Sequence, residues 1–303
     1  MNPESYALGL DLGGTSLKAV AVTAAGETLA RANVPFRDEN MEWAIKARAT
    51  VADLERQCGR PAARIGLSAP GLAAKDGRCV VCMPGKLSGL EGLDWTDHLG
   101  AKQPVPVLND AHAALLGEVW LGSARGLENV FMLTLGTGVG GAAMVDGQLL
   151  RGAINRAGHL GHIALDLDGP LDNFNTPGSL EWFMGNKFIR ERTSGRFATT
   201  HDLVAAHLAG DAEASRVWLR SVQALGAGIG SLINVLDPEV VIVGGGIARA
   251  GAALFDPLEK FVRQYEWHAA GQRVRIIPAE LGELAGAYGA AANALQLFHR
   301  RTD

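Results

Sequence analysis

The 303 residues are 48% hydrophobic, 20% charged and 6% aromatic, which excludes a disordered or low-complexity chain and allows two lobes with separate cores. A net charge of −4 and a pI near 6.1 give no electrostatic reason to expect nucleic acid or an anionic membrane as partner, and leave small ligands as the natural targets. No basic segment leading into an apolar stretch opens the sequence, and no uncharged apolar run reaches the roughly eighteen residues of a membrane span, so a cytoplasmic location is expected.

The first third reads as strands around one helix. Tyr6–Leu12, Leu17–Val22 and Thr28–Val34 are short apolar segments separated by Gly13-Gly14 and Ala25-Gly26, the pattern of an antiparallel meander. A helix follows from about Met41 to Gln57, then a buried strand, Arg64–Ala69, ending in Pro70-Gly71. Cys79-Val-Val-Cys82 spells a CxxC but lacks the second ligand pair of a zinc site, and Cys58 makes the cysteines odd in number; reduced thiols are the reading. A strand at Val105–Leu108 runs into Asn109-Asp110 and a helix through Leu121.

The same grammar then restarts. Asn129–Leu135 is a strand, Gly136-Thr137-Gly138 a turn, Gly140–Val145 a strand, and Asp146-Gly147 a hairpin turn into Gln148–Leu150. Residues 152–178 lose strand periodicity and form a long loop of the kind that usually carries function. Helices are expected at Leu180–Glu191, His201–Leu208, Ala212–Leu236, Leu254–His268 and about Glu283–Phe298, with strands at Glu239–Val243 and Val274–Pro278. Residues 1–118 are expected to form the N-terminal lobe, a C-terminal helix of about 284–303 packing back on it, and 119–283 the C-terminal lobe.

Two glycine turns lie between strands, where neither a Rossmann fingerprint nor a Walker loop would put them, since those open helices. In the first, the bare backbone of Gly13 and Gly14 can approach phosphate oxygens. Thr15 can donate a hydroxyl, Lys18 adds positive charge, and Asp11 can hold the water shell of a metal ion. Gly136, Thr137 and Gly138 repeat the construction, so two hairpins could clamp one polyphosphate. Gly244-Gly245-Gly246 follows a buried strand and could take a flat adenine or ribose against it, or simply be a tightly packed turn. Asp110, between a buried strand and a helix, is either a helix cap or a base held ionised by the helix N-terminus, with Asn109 beside it able to bond hydroxyls.

At these residues the chain resembles the repressor, open reading frame and kinase (ROK) family of sugar kinases. The matching segments are Asp11-Leu-Gly-Gly-Thr15, Ala69-Pro70-Gly71, Leu108-Asn-Asp-Ala111, Gly136-Thr-Gly-Val-Gly140, Gly158-x-x-Gly161-His162, Gly178-x-x-Glu181 and Gly244-Gly-Gly246, in family order from about residue 7 to 290. The resemblance implies an α/β, actin-like ATPase or ribonuclease-H-like fold of two lobes with a ligand cleft between them. It implies ATP and Mg²⁺, the metal held by Asp11 and the ATP phosphates, and a sugar acceptor. Asp110 would be the catalytic base, and Gly71, Asn109, His159, His162 and Glu181 would lie at the sugar. A homodimer is compatible with it. With the first glycine turn starting near residue 11, the helix-turn-helix domain of the family's repressors is not expected here.

Two departures qualify that expectation. His159 stands where the family usually has a sugar-binding Glu, so an acceptor-only carboxylate becomes an imidazole that donates or accepts. The stretch from Asp172 to Ser179 contains no cysteine where many members have three, so no structural zinc is expected. Against a hexokinase-type reaction stand two alternatives, a sugar- or nucleotide-binding regulator with little catalysis and a kinase of the same fold with a non-sugar acceptor.

Overall fold

A computed structural model describes residues 5–298; the last helix, expected to reach Phe298 or beyond, ends at Ala294, and residues 1–4 and 299–303 lie outside the described residues. In chain order come strands β1 (Tyr6–Leu12), β2 (Ser16–Thr23) and β3 (Thr28–Pro35), helix α1 (Glu42–Gln57), strands β4 (Arg64–Ala69), β5 (Leu72–Ala73) and β6 (Val80–Cys82), helix α2 (Trp95–Leu99), strand β7 (Val107–Asn109) and helix α3 (Asp110–Leu121). There follow β8 (Val130–Leu135), β9 (Val139–Val145), β10 (Gln148–Leu149), α4 (Leu180–Met184), α5 (Ile189–Arg192), α6 (Thr200–Leu208), α7 (Ala212–Leu236), β11 (Val240–Gly244), α8 (Ala252–Tyr265), β12 (Arg275–Pro278) and α9 (Ala285–Ala294).

Contacts divide the chain into two units. The first runs to Leu127 and adds Asp146–Gly158 and the segment from Glu280 onward; the second is Glu128–Val145 with His159–Ala279. Residues 146–158, expected in the second lobe, group with the first because their side chains reach back into it. Gln148 donates to the Phe298 carbonyl (3.4 Å), Arg151 to Asn293 Oδ1 (3.5 Å) and Asn155 to the Ala74 carbonyl (2.7 Å).

In the first unit the sheet order is β3-β2-β1-β4-β7, an antiparallel meander continued by two parallel strands. Position in the sheet explains the sequences. β1 is buried along almost its whole length, as a central apolar strand must be, whereas β3 at the edge alternates half-buried and exposed residues. One face carries α9, a helix of alanines and glycines. A side-chain carbon on Gly9 would fall 1.8 Å from the Ala287 carbonyl oxygen, and one on Gly66 would fall 2.0 Å from that of Ala290, so only bare backbone lets helix and sheet meet this closely. Another cluster, around Trp43 and Trp95 with Leu8 and Leu10, is built from α1 and α2. Glu118, fully buried in α3, is satisfied by the backbone N–H groups of Ser123, Glu280 and Leu281 and the Ser123 hydroxyl, which ties α3 to the chain entering α9.

In the second unit β9-β8-β11-β12 pairs one antiparallel hairpin with two parallel strands, as β2-β1-β4-β7 does in the first. Its core joins Phe131 and Leu133 of β8 to Trp218, Leu225 and Ile229 of α7 and Leu254 and Leu258 of α8. Helix α7 is long and apolar enough to cross a membrane by length and composition, but 56% of its apolar window is buried, as befits the central helix of this core. Trp218 and Phe183 are buried, while Trp267 is 78% exposed.

Candidate active site

The first glycine turn is held at its base and bare at its tip. Gly13 N–H donates to the Ser16 carbonyl (2.9 Å) and Phe36 N–H to that of Thr15 (3.0 Å). Gly14 and Thr15 are exposed, and a side-chain carbon on Gly14 would meet nothing within 4 Å. Its backbone does not lie in the left-handed region either, so nothing internal demands glycine there.

Asp11, opposite Lys18 in the β1–β2 register, accepts from the Ser68 hydroxyl (2.6 Å). Burial pushes its carboxyl up to about 6; the Ser68 bond and Lys18 oppose that and the nearby charge of Asp110 adds to it. Gly286 of α9 leaves room for this carboxylate, since a side-chain carbon there would lie 2.6 Å from Asp11 Cγ. Lys18, expected to face phosphate, reaches Glu283 at 3.5 Å.

Asp110 opens α3. Asn109 is its N-cap, with Oδ1 accepting from Ala111 N–H (3.0 Å) and His112 N–H (3.4 Å) and Nδ2 donating to the Gly71 carbonyl (2.9 Å). The amide expected to read sugar hydroxyls is thus mostly engaged in holding the helix start and the Gly71 loop. Gly71 has an internal reason to be glycine: its φ is 91°, and a side-chain carbon would sit 2.4 Å from the Cys82 carbonyl oxygen. Asp110 Oδ1 accepts from Ala111 N–H (2.8 Å), and the residue is exposed. Protein crowding around the carboxylate still withdraws enough water to raise its pKa, against the pull of the Ala111 and Asn109 hydrogen bonds. Desolvation thus outweighs the lowering expected of a helix N-terminus.

The second glycine turn is braced from behind. Asn186 N–H donates to the Gly136 carbonyl (2.9 Å) and Lys187 N–H to that of Thr137 (2.8 Å), which requires the expected helix Leu180–Glu191 to break at Gly185. Arg192 fills the break, donating to the Trp182 (2.6 Å) and Gly185 (2.8 Å) carbonyls. Gly136, like Gly14, has open space where a side chain would be. Gly138 instead faces Glu181, whose Oε2 accepts from Val139 N–H (2.9 Å) and would lie 2.3 Å from a side-chain carbon on Gly138.

Beside this turn is a cavity of about 650 Å³ lined by Gly136, Thr137, Asn186, the Thr199–His201 start of α6, and Gly246 with Ile247 and Arg249. Of the three consecutive glycines only Gly246 opens onto it. Gly245 has φ 87° and abuts Leu135, and Gly244 packs on Ala279 and Met132. Asn186 Oδ1 accepts from Thr200 N–H (2.6 Å), and Thr199 caps α6 in a capping box with Asp202. Sequence reasoning missed Asn186, Thr200 and Arg249; the one local signal was the cap Thr199-x-x-Asp202.

The long loop is ordered by Asp172. Its buried carboxylate accepts from Phe174 N–H (2.8 Å) and Thr176 N–H (2.9 Å) and lies 3.4 Å from His162 Nδ1, while the His162 ring stands edge-on to Phe174 at 4.7 Å. Burial alone would raise the Asp172 pKa, but the hydrogen bonds from Thr176, Phe174, Ser179 and His162 hold it below the ordinary carboxylate range. His159 is half-buried and directly precedes the turn Leu160–His162, which packs on β9 through Gly161. Among the described residues no three His, Cys, Asp or Glu side chains cluster as a metal site.

The ROK family model matches residues 7–297. The chain belongs to the ROK family. It is 31% identical to a glucokinase of Thermotoga maritima over 96% of this chain and 97% of that one. Its structure is similar to that of a ROK hexokinase from Thermus thermophilus, with a TM-score of 0.84, 31% identity and coverage of 96% and 99% of the two chains. It is also similar to a ROK glucokinase from Streptomyces griseus in complex with glucose and AMPPNP, with a TM-score of 0.79, 27% identity and coverage of 96% and 100%. Its fold class is therefore the two-lobed, actin-like ATPase fold of ROK kinases. Within this ROK protein the loop expected to lack zinc ligands has a carboxylate, Asp172, at its centre.

Proposed function

We propose that Asp110 is the base with which this chain, an ATP-dependent sugar kinase and so a phosphotransferase with an alcohol acceptor, activates a hydroxyl of a hexose or related sugar. The observation that carries the assignment is the Asp110 carboxylate itself, fixed by the capped start of α3, bonded through Oδ1 and exposed, with a raised pKa. As the acceptor oxygen attacks the γ-phosphorus, its proton passes to the carboxylate and the bond from phosphorus to the bridging oxygen of ADP breaks. A raised pKa makes the carboxylate a stronger proton acceptor.

The open backbones of Gly14 and Gly136 receive phosphate oxygens, with Gly13, Thr15, Thr137 and Gly138 shaping the two turns. The cavity at Gly246 takes the nucleoside, its size and mixed lining suiting a flat base and a ribose. The charge of Asp110 acts on the buried Asp11 and Lys18 only partly offsets it, so Asp11 makes a negative site that a Mg²⁺ ion would fit. Asp11 and the ATP phosphates would hold that ion, which supplies neutralisation of phosphate charge. His159, His162 and Glu181 belong to sugar recognition in this reading, with Asp172 orienting His162. The work is on small molecules in the cytoplasm.

The test is coupled ADP release from Mg-ATP against hexoses, N-acetylhexosamines and polyols. A sugar-dependent signal names the acceptor class. Silence across the panel, with ATP binding confirmed by calorimetry, moves the assignment to a regulator or a non-sugar acceptor.

A further inference from the structure

We propose that the first unit carries a second binding site, for a small organic carboxylate, centred on Arg151. A cavity of about 180 Å³ is lined by Leu116 of α3, Gln148 and Leu149 of β10, Arg151, Asn293 of α9 and Phe298. Its lining holds one cation and no carboxylate. Whereas Arg78, Arg196, Arg216 and Arg263 pair with Asp94, Asp211, Glu213 and Glu259, Arg151 has no carboxylate partner among the described residues. Among the described residues the half-buried Arg151 has a single side-chain hydrogen bond, to Asn293 Oδ1 at 3.5 Å, the outer limit for one. Burial draws its pKa down, with no neighbouring charge acting against it. A guanidinium withdrawn from water beside an empty volume is costly until an anion pairs with it, and a planar carboxylate matches its fork with two parallel bonds.

Size and lining narrow the class. The cavity has room for about six waters at about 30 Å³ each, too little for a nucleotide or a sugar phosphate. Leu116, Leu149 and Phe298 form an apolar wall, which favours a carboxylate with a short carbon body over inorganic phosphate. The site also touches the frame of the candidate active site. Leu116 and Asn293 belong to α3, which begins at Asp110, and α9, whose Gly286 abuts Asp11. These helices are locked together, since a side-chain carbon on Gly289 would fall 1.6 Å from the Ala113 carbonyl oxygen. Occupancy therefore biases how Asp110 and Asp11 are held, an effect on turnover that rests on the kinase reading, whereas binding itself does not.

Pyruvate is the probe, titrated calorimetrically into the full chain at low chloride with saturating AMPPNP, and inorganic phosphate is the comparator. The expected result is one saturable pyruvate site, weakened about tenfold or more by Arg151→Met and less by Arg151→Lys. Leu149→Trp, which fills the cavity and keeps the guanidinium, also abolishes it. No binding up to about 10 mM, equal binding by Arg151→Met, displacement by AMPPNP, or a preference for phosphate would each overturn the proposal. Sugar-dependent ADP release is measured separately, so a wild-type chain that turns over sugar but binds no pyruvate refutes this inference and leaves the kinase assignment standing.

Discussion

Replacing glycine by alanine at three positions separates glycines that serve a ligand from glycines that serve the fold. Gly14 and Gly136 face open space outside the left-handed region, so a methyl group strains nothing and removes freedom from the unfolded chain. Gly14→Ala and Gly136→Ala should be neutral or stabilising by up to about 1 kcal/mol, a rise in thermal midpoint of at most about 4 °C for a chain of this length. Each methyl group nonetheless stands where phosphate oxygens must approach, and the KM for ATP should rise about tenfold, equivalent to about 1.4 kcal/mol. Gly9→Ala is the contrast: its methyl would lie 1.8 Å from the Ala287 carbonyl oxygen, and separating β1 from α9 should cost about 3 kcal/mol or more. Differential scanning calorimetry and steady-state kinetics on the three variants decide the matter. Gly14→Ala and Gly136→Ala proteins that melt like Gly9→Ala, or that keep the wild-type KM, would refute the reasoning.

Ala205 is exposed on α6 at the rim of the 650 Å³ cavity, so Ala205→Trp should raise the KM for ATP about tenfold or more with sugar affinity unchanged, read by titration of each substrate. Asp172, with its pKa depressed in the folded chain, contributes stability that is present above its unfolded pKa of about 3.9 and lost as pH falls through the lower folded value. Asp172→Asn should therefore melt lower than wild type at pH 7, the gap closing below about pH 4 in melts across that range. His159→Glu restores an acceptor-only carboxylate and should shift preference among sugars toward glucose; an unchanged acceptor profile would separate His159 from the substrate.

The large pattern was legible because it is local. Apolar runs broken by Gly13-Gly14, Gly136-Thr-Gly138 and Asp146-Gly147 mark both hairpins, and the strands fall within a residue or two of expectation. What escaped is set by contacts distant in sequence. The strands β5 and β6 and the helix α2 are two, three and five residues long, too short to show periodicity. The break at Gly185 comes from the carbonyls of Gly136 and Thr137, which draw the amides of Asn186 and Lys187 out of the helix. The cap that Asn109 makes and its bond to Gly71, 38 residues away, escaped the sequence because that partner is distant in the chain. Asp110 was placed correctly on the helix start, yet the direction of its pKa shift depends on surroundings no local pattern encodes.

The assignment of Asp110 is tested most directly by comparing Asp110→Asn with wild type in sugar-dependent ADP release and in sugar binding. Asparagine keeps the size and the exposed position but cannot take a proton. Loss of the base is expected to lower kcat by about 10² to 10⁴ with sugar and ATP affinities within a few-fold of wild type. A variant that turns over sugar at the wild-type rate would contradict the account.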